Sequence, residues 1–120
     1  MTSAILNVTF DCSDARSVAR FWSAVTGWTL HEERLDPGQA EYSVRPPQDG
    51  GTRLYFVTVP EPKTTKNRVH LNVIPRDRSQ EQEIDRLVEL GATVSVGQSP
   101  GAAWVVLADP EGNEFCVEPG

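Results

Sequence analysis

The chain has 120 residues, 38% of them hydrophobic and 23% charged, with a formal net charge of −6. That is the size and apolar content of one folded domain, which excludes a multidomain assembly and a disordered chain. No run approaches the ~20 apolar residues of a membrane span, and an acidic pI of about 4.8 leaves no basic footprint for nucleic acid. Neither a membrane nor a nucleic acid is therefore expected as a partner. The opening MTSAILNVTF lacks the basic start and long apolar stretch of a secretory signal. Two cysteines, Cys12 and Cys116, are too few for a disulfide scaffold, and a cytoplasmic location is expected.

Residues Ile5 to Phe10 alternate, with Leu6, Val8 and Phe10 on one side and Asn7 and Thr9 on the other, the period of a half-buried strand. Ser13 and Asp14 offer capping oxygens. Val18, Phe21, Trp22 and Val25 then make one apolar helical stripe, and Gly27 ends it. Strands are expected at Trp28–Glu33, near Glu41–Arg45 and at Arg53–Val59, separated by the turn Asp36-Pro37-Gly38 and a Pro/Gly loop at Pro46–Gly51. Prolines at both ends make the stretch from Pro60 to Asn67 a connector.

The pattern then repeats. Val69, Leu71 and Val73 alternate with His70 and Asn72. Ser79 and Gln82 have the spacing of a capping box, and Ile84, Leu87, Val88 and Gly91 complete a second amphipathic helix. Strands follow at Thr93–Val96, Ala103–Ala108 and Glu114–Glu118, the last two joined by the turn Asp109-Pro110-Glu111-Gly112-Asn113. Asn7 aligns with His70 and Asp14 with Asp77 at a common offset, and Gly27 meets Gly91 after one inserted residue. Each half reads β-α-β-β-β, an internal duplication. The expected fold is α+β: one domain over residues 1–120, with a first module at about 1–60 and a second at about 66–120. Each sheet's apolar face lies under its own helix, and the opposite faces are left for a concavity.

A duplicated βαβββ unit of this length resembles the vicinal oxygen chelate superfamily, which includes glyoxalase I, extradiol dioxygenases, epimerases and the fosfomycin- and bleomycin-resistance proteins. The resemblance is carried by SDARSVARFWSAVTGW, by RVHLNV and above all by the closing hairpin LADPEGNEFCVEP. The connector followed by KNRVHLNV resembles the glyoxalase-like subgroup. It implies a curved, partly open mixed β-sheet barrel with the helices outside, and a homodimer. In metal-using members the ligands lie on the first and last strands of each half. By position these fall on Asn7, His70, Cys116 and Phe56, of which only His70 keeps the usual identity. The resemblance therefore implies a possible divalent metal held through His70.

Strand parity puts Asn7 and Thr9, His70 and Asn72, and Glu114, Cys116 and Glu118 on the hollow side. His70 is the sharpest of these, because imidazole ligates metals and changes charge near neutral pH. His70 with Glu118 (or Glu114) is the candidate catalytic pair. Asn7, Thr9, Phe56, His70, Asn72, Trp104, Glu114 and Cys116 are the candidate ligand-binding set. Cys116 reads either as a nucleophile with His70 as base or as a small core residue. Trp28, Tyr42, Tyr55, Phe56 and Trp104 can line a pocket for a flat ligand or serve packing. Arg53 and Arg68 flank strands and can hold a carboxylate or phosphate at a rim. Three functions follow: a small-molecule-binding domain, a metal-dependent lyase, isomerase or dioxygenase, and a non-catalytic dimeric interaction module.

Overall fold

A computed structural model describes residues 1–95 and 103–120; Val96, expected at the end of a strand, lies outside them. The chain divides into two compact units, Met1–Lys63 and Thr64–Gly120. The first contains β1 (Asn7–Cys12), α1 (Ala15–Thr26), β2 (Thr29–Arg34), β3 (Glu41–Arg45) and β4 (Arg53–Thr58). The second contains β5 (Asn72–Val73), α2 (Gln80–Glu89), β6 (Thr93–Val94), β7 (Val105–Ala108) and β8 (Glu114–Val117). The strand orders are β1-β4-β3-β2 and β5-β8-β7-β6. In each unit the first strand runs parallel to the last and the other pairs are antiparallel. The fold is α+β, two tandem βαβββ modules, each with an open mixed sheet.

In the first unit α1 starts where the Asp14 carboxylate accepts the Ser17 N–H at 3.1 Å. It stops at Gly27, whose φ of 73° is cheap only for glycine and whose N–H donates to Ser23 O at 2.8 Å. Val18, Phe21 and Trp22 of the helix are buried. Phe10 stacks on Phe56 with ring centroids 4.9 Å apart and lies 5.8 Å from Trp22, which Phe21 meets edge-on.

This cluster corrects one expectation. Phe56 is fully buried, on the helix side of the sheet, so it does not line a hollow. Along β4, Leu54 and Phe56 face the core, and alternation sends Arg53, Tyr55 and Val57 to the other face. Tyr42, paired with Phe56 across β3 and β4, is likewise buried and acts in packing.

In the second unit α2 opens with the full capping box: Gln82 N donates to Ser79 Oγ at 3.1 Å and Ser79 N donates to Gln82 Oε1 at 3.0 Å. Leu87, Leu107, Phe115 and Val117 are buried here. Val88, expected in the stripe, is 44% exposed, whereas the carboxylate-bearing Glu83 is 6% exposed. Glu83 tolerates burial because Arg86 grips it twice, Nε to Oε1 at 2.8 Å and Nη2 to Oε2 at 3.0 Å, with Arg78 at 3.7 Å. The Arg86 hydrogen bonds hold the Glu83 carboxyl below the usual carboxylate range, against the opposing pull of burial.

The strand expected from Val69 shrinks to Asn72–Val73, although Cys116 N still bonds Leu71 O at 2.9 Å and Glu118 N bonds Val73 O at 2.8 Å. Before it, the connector is held by hairpin side chains rather than by a ladder. Asn67 N donates to Glu114 Oε1 at 3.1 Å, and Asn67 Nδ2 donates to Asn113 Oδ1 at 3.0 Å. The hairpin is fixed in turn by Asp109, whose Oδ1 accepts the N–H groups of Glu111 and Asn113, both at 2.9 Å. Gly112, at φ 92°, lets the chain turn there. No buried side-chain N or O lacks a partner among the described residues.

Truncating the aromatic cluster tests which face carries the core of the first unit. Phe56→Ala should destabilise the protein by about 3–5 kcal/mol, the range for emptying a buried aromatic site, measured by urea unfolding. A cost below about 1 kcal/mol would match an exposed position instead.

Candidate functional site

The face of the second sheet opposite its core is built by register. Cys116 sits opposite Asn72 on parallel β5 and opposite Val106 on antiparallel β7. Alternation puts Glu114 and Glu118 on the same side as Cys116, while Phe115 and Val117 go to the core. A cavity of about 530 Å³ opens on this face. Its polar lining comes from Lys66, His70, Asn72, Glu114 and Glu118. Trp104, Val106 and Cys116 complete it.

Six of the residues singled out in the sequence thus share one cavity: His70, Asn72, Trp104, Glu114, Cys116 and Glu118. Lys66 and Val106 join them without having been anticipated. Val106 was findable, since it alternates with buried Leu107 and so shares a face with Cys116. Lys66 lies in the connector, where no period constrains a side chain.

The site is open on its polar side. His70 and Asn72 are exposed, and Trp104 is 48% exposed. Cys116 at 7% is the floor. Burial pushes its thiol pKa up, the neighbouring Glu118 charge pushes it further, and Lys66 offsets part of this. A thiol raised in this way is mostly protonated at neutral pH, which suits neither an activated nucleophile nor a thiolate ligand. Among the described residues, no three His, Cys, Asp or Glu side chains gather to hold a metal ion. Glu114 also already accepts the Asn67 N–H. The donor set around His70 therefore does not fit a divalent metal site, which needs at least three ligating groups.

Asn7 and Thr9 belong to the first unit, on the non-core face of its sheet, paired with Arg53 and Tyr55. Asn7 Oδ1 accepts the Arg53 Nε–H at 2.9 Å. The Arg53 guanidinium carbon lies 5.9 Å from the Tyr55 ring centroid, and Tyr55 OH donates to Glu41 Oε1 at 2.7 Å. This hydrogen bond and burial raise the Tyr55 pKa. Ser43 Oγ donates to Glu33 Oε1 at 2.7 Å, and Arg45 Nη2 donates to the same oxygen. These two contacts hold the Glu33 carboxyl below its ordinary range. Because Thr9 pairs with Tyr55 as Asn72 pairs with Cys116, the first-unit counterpart of Cys116 is Tyr55. Phe56, one residue on, points the other way.

Two such modules, each with parallel first and last strands and a polar face turned from its helix, define the glyoxalase-like architecture. Residues 7–118 match the family model of the glyoxalase-like domain. The chain belongs to that family, within the vicinal oxygen chelate superfamily. No curated protein matches it. Among solved structures it is similar to the fosfomycin resistance protein FosX of Mesorhizobium loti, at 16% identity and a TM-score of 0.71 over 100% of this chain and 94% of that one. A variant of FosX from Listeria monocytogenes, complexed with Mn(II) and a dihydroxypropylphosphonic acid, gives 11% identity and a TM-score of 0.74 over 100% and 94%. A possible glyoxalase from Bacillus cereus gives 19% identity and 0.65 over 98% and 99%. At these identities the likeness is one of fold.

The raised Cys116 pKa gives a direct test. Alkylation by iodoacetamide, followed by peptide mapping to separate Cys116 from Cys12, should be slow at pH 7 and have its midpoint above the ordinary thiol value. Glu118→Gln removes a negative charge that opposes the thiolate, so it should move that midpoint down. A wild-type midpoint below the ordinary value would contradict this account of the cavity floor.

Proposed function

We propose that the chain is a glyoxalase-like binding domain that holds a small organic molecule in the cavity of its second unit. The observation that carries this reading is a hollow of about 530 Å³, within the usual size of small-molecule sites, with Trp104 and Val106 on one wall and His70 and Asn72 on another. The aromatic wall suits a flat apolar body, and His70 and Asn72 supply donors and acceptors that fix its orientation. The role resembles sequestration by the resistance branch of the superfamily, in a reducing cytoplasm that keeps Cys116 and Cys12 as thiols.

The second reading is a metal-dependent lyase, isomerase or dioxygenase, with His70 and Glu118 as its working pair. What favours it is that both side chains line one cavity and that a FosX relative is complexed with Mn(II). What weighs against it is the donor set: one imidazole, a protonated thiol, and a Glu114 already engaged by Asn67. Binding is therefore the stronger reading.

A ligand screen by thermal shift, followed by calorimetry of the best compound, tests the first reading. His70→Ala should fold normally and lose about 1 kcal/mol or more of binding free energy, the value of one hydrogen bond to a polar ligand. Unchanged affinity would remove His70 from the site. Titration with Mn, Ni, Zn or Fe should give no saturable stabilisation, and a saturable rise with any one of them would restore the enzyme reading.

We also propose a homodimer. β1 and β5 are edge strands, and beside them Ile5, Leu6, Val69 and Ile74 are 71%, 66%, 76% and 62% exposed, which is costly in water for one copy alone. Light scattering should give twice the chain mass; the mass of one chain would overturn this.

A further inference from the structure

The polar face of the first sheet carries a cation that the fold has positioned without a direct ion pair, with the Glu33 charge acting on it at longer range. Three described arginines are half-buried: Arg45, Arg53 and Arg86. Arg45 is paired with Glu33 and Arg86 with Glu83. Arg53 has no carboxylate within ion-pair distance among the described residues; its partners are the Asn7 amide oxygen at 2.9 Å and the Tyr55 ring. A guanidinium partly withdrawn from water is normally matched by an anion.

The way Arg53 is held fixes which donors remain. Its Nε–H is committed to Asn7, and Tyr55, against whose ring the guanidinium lies, is itself anchored by its hydroxyl to Glu41. The end-on edge, with its two Nη groups, is left as a planar fork of parallel N–H donors, the geometry that accepts two oxygens of one anion. The neighbouring carboxylates are already engaged. Glu33 accepts from Ser43 and Arg45, and Glu41 accepts from Tyr55 with Arg34 Nη1 at 4.0 Å. Asp11 lies one same-face position beyond Thr9, on the order of 13 Å along the strand from Asn7.

We infer that Arg53, oriented by Asn7 and Tyr55, is a binding site for the oxyanion of a small organic acid, a carboxylate or a phosphonate, on the first unit. The inference does not rest on the cavity of the second unit. Asn7 acts as a positioning residue, since it aims the fork without touching the anion.

Benzoate, phenylphosphonate and the neutral benzamide serve as probes, followed through the arginine side-chain resonances of the isotope-labelled full chain. Benzoate or phenylphosphonate should shift the Arg53 signals saturably, with a Kd of about 1–10 mM, the affinity of a single weak polar site. Whichever of the two binds more tightly identifies the oxyanion type. Benzamide should not bind. Arg53→Lys keeps the charge but loses the fork and should weaken binding about tenfold, while Arg53→Gln should abolish it. Asn7→Ala should weaken binding severalfold and release the Arg53 Nε–H to exchange with solvent, which a purely structural Asn7 would not couple to affinity. His70→Ala should change none of this, so failure here is distinguishable from failure of the second-unit cavity. Binding that is non-saturable, equal for benzamide, or unchanged in folded Arg53→Lys and Arg53→Gln would overturn the assignment.

Discussion

Each sheet in this chain is one strand layer thick, and one of its faces must be covered by a helix. A strand side chain therefore has only two destinations, and its neighbours in sequence have the opposite one. Once Phe10, Leu54 and Phe56 lie beneath α1 in the first unit, Asn7, Thr9, Arg53 and Tyr55 are forced onto the remaining face. Once Leu107, Phe115 and Val117 are buried in the second, Val106, Glu114, Cys116 and Glu118 must emerge together. The candidate site is thus the complement of the core, assembled by the same alternation. Moving any strand by one residue would exchange the two sets entirely.

The parallel pairing of first and last strands adds the second constraint. It sets which residues of the duplicated unit become neighbours, and it lets the two copies be compared position by position. In the first unit the row holds Thr9 beside Tyr55; in the second it holds Asn72 beside Cys116. The first copy has filled its polar face with side chains that bond one another, from Asn7 through Arg53, and from Tyr55 to Glu41. The second copy uses a short thiol where the first uses a phenol, and a cavity remains above it. The same scaffold has therefore produced a braced face and an open one through the size and reach of a few side chains.

Much of this was legible in the sequence because it depends on local chemistry. Asp14, Gly27, Ser79 and Gln82 act within a few residues of themselves, so capping could be read directly. Alternation located His70, Asn72, Glu114, Cys116 and Glu118 on one face for the same reason. What failed depends on partners distant along the chain. Phe56 was assigned by analogy of position, whereas the pairing of Phe10 with Phe56 decides its face. Glu83 looks solvated until Arg86 and Arg78 close on it. The ladder expected from Val69 gives way to side-chain bonds from Asn113 and Glu114, some 46 and 47 residues from Asn67. Lys66 enters the cavity from an aperiodic connector that no pattern describes.

The electrostatics of the two faces differ in which charges are already paired. In the second unit Glu114 and Glu118 border the cavity with Lys66 as the one lysine or arginine among the described residues of its lining, and the Glu118 charge helps keep Cys116 protonated. Such a wall disfavours anions and accepts neutral or cationic groups. In the first unit Glu33 is paired with Arg45 and Glu41 accepts from Tyr55, whereas Arg53 bonds an amide oxygen instead of a carboxylate. Specificity then follows from which charges the fold has already satisfied. A carboxylate paired with a cation is spent as a recognition element, whereas a guanidinium whose hydrogen bond goes to a neutral amide keeps its end-on donors available. The duplication has separated these two conditions onto two copies of one sheet, and the chemistry open to each is set by its unspent groups.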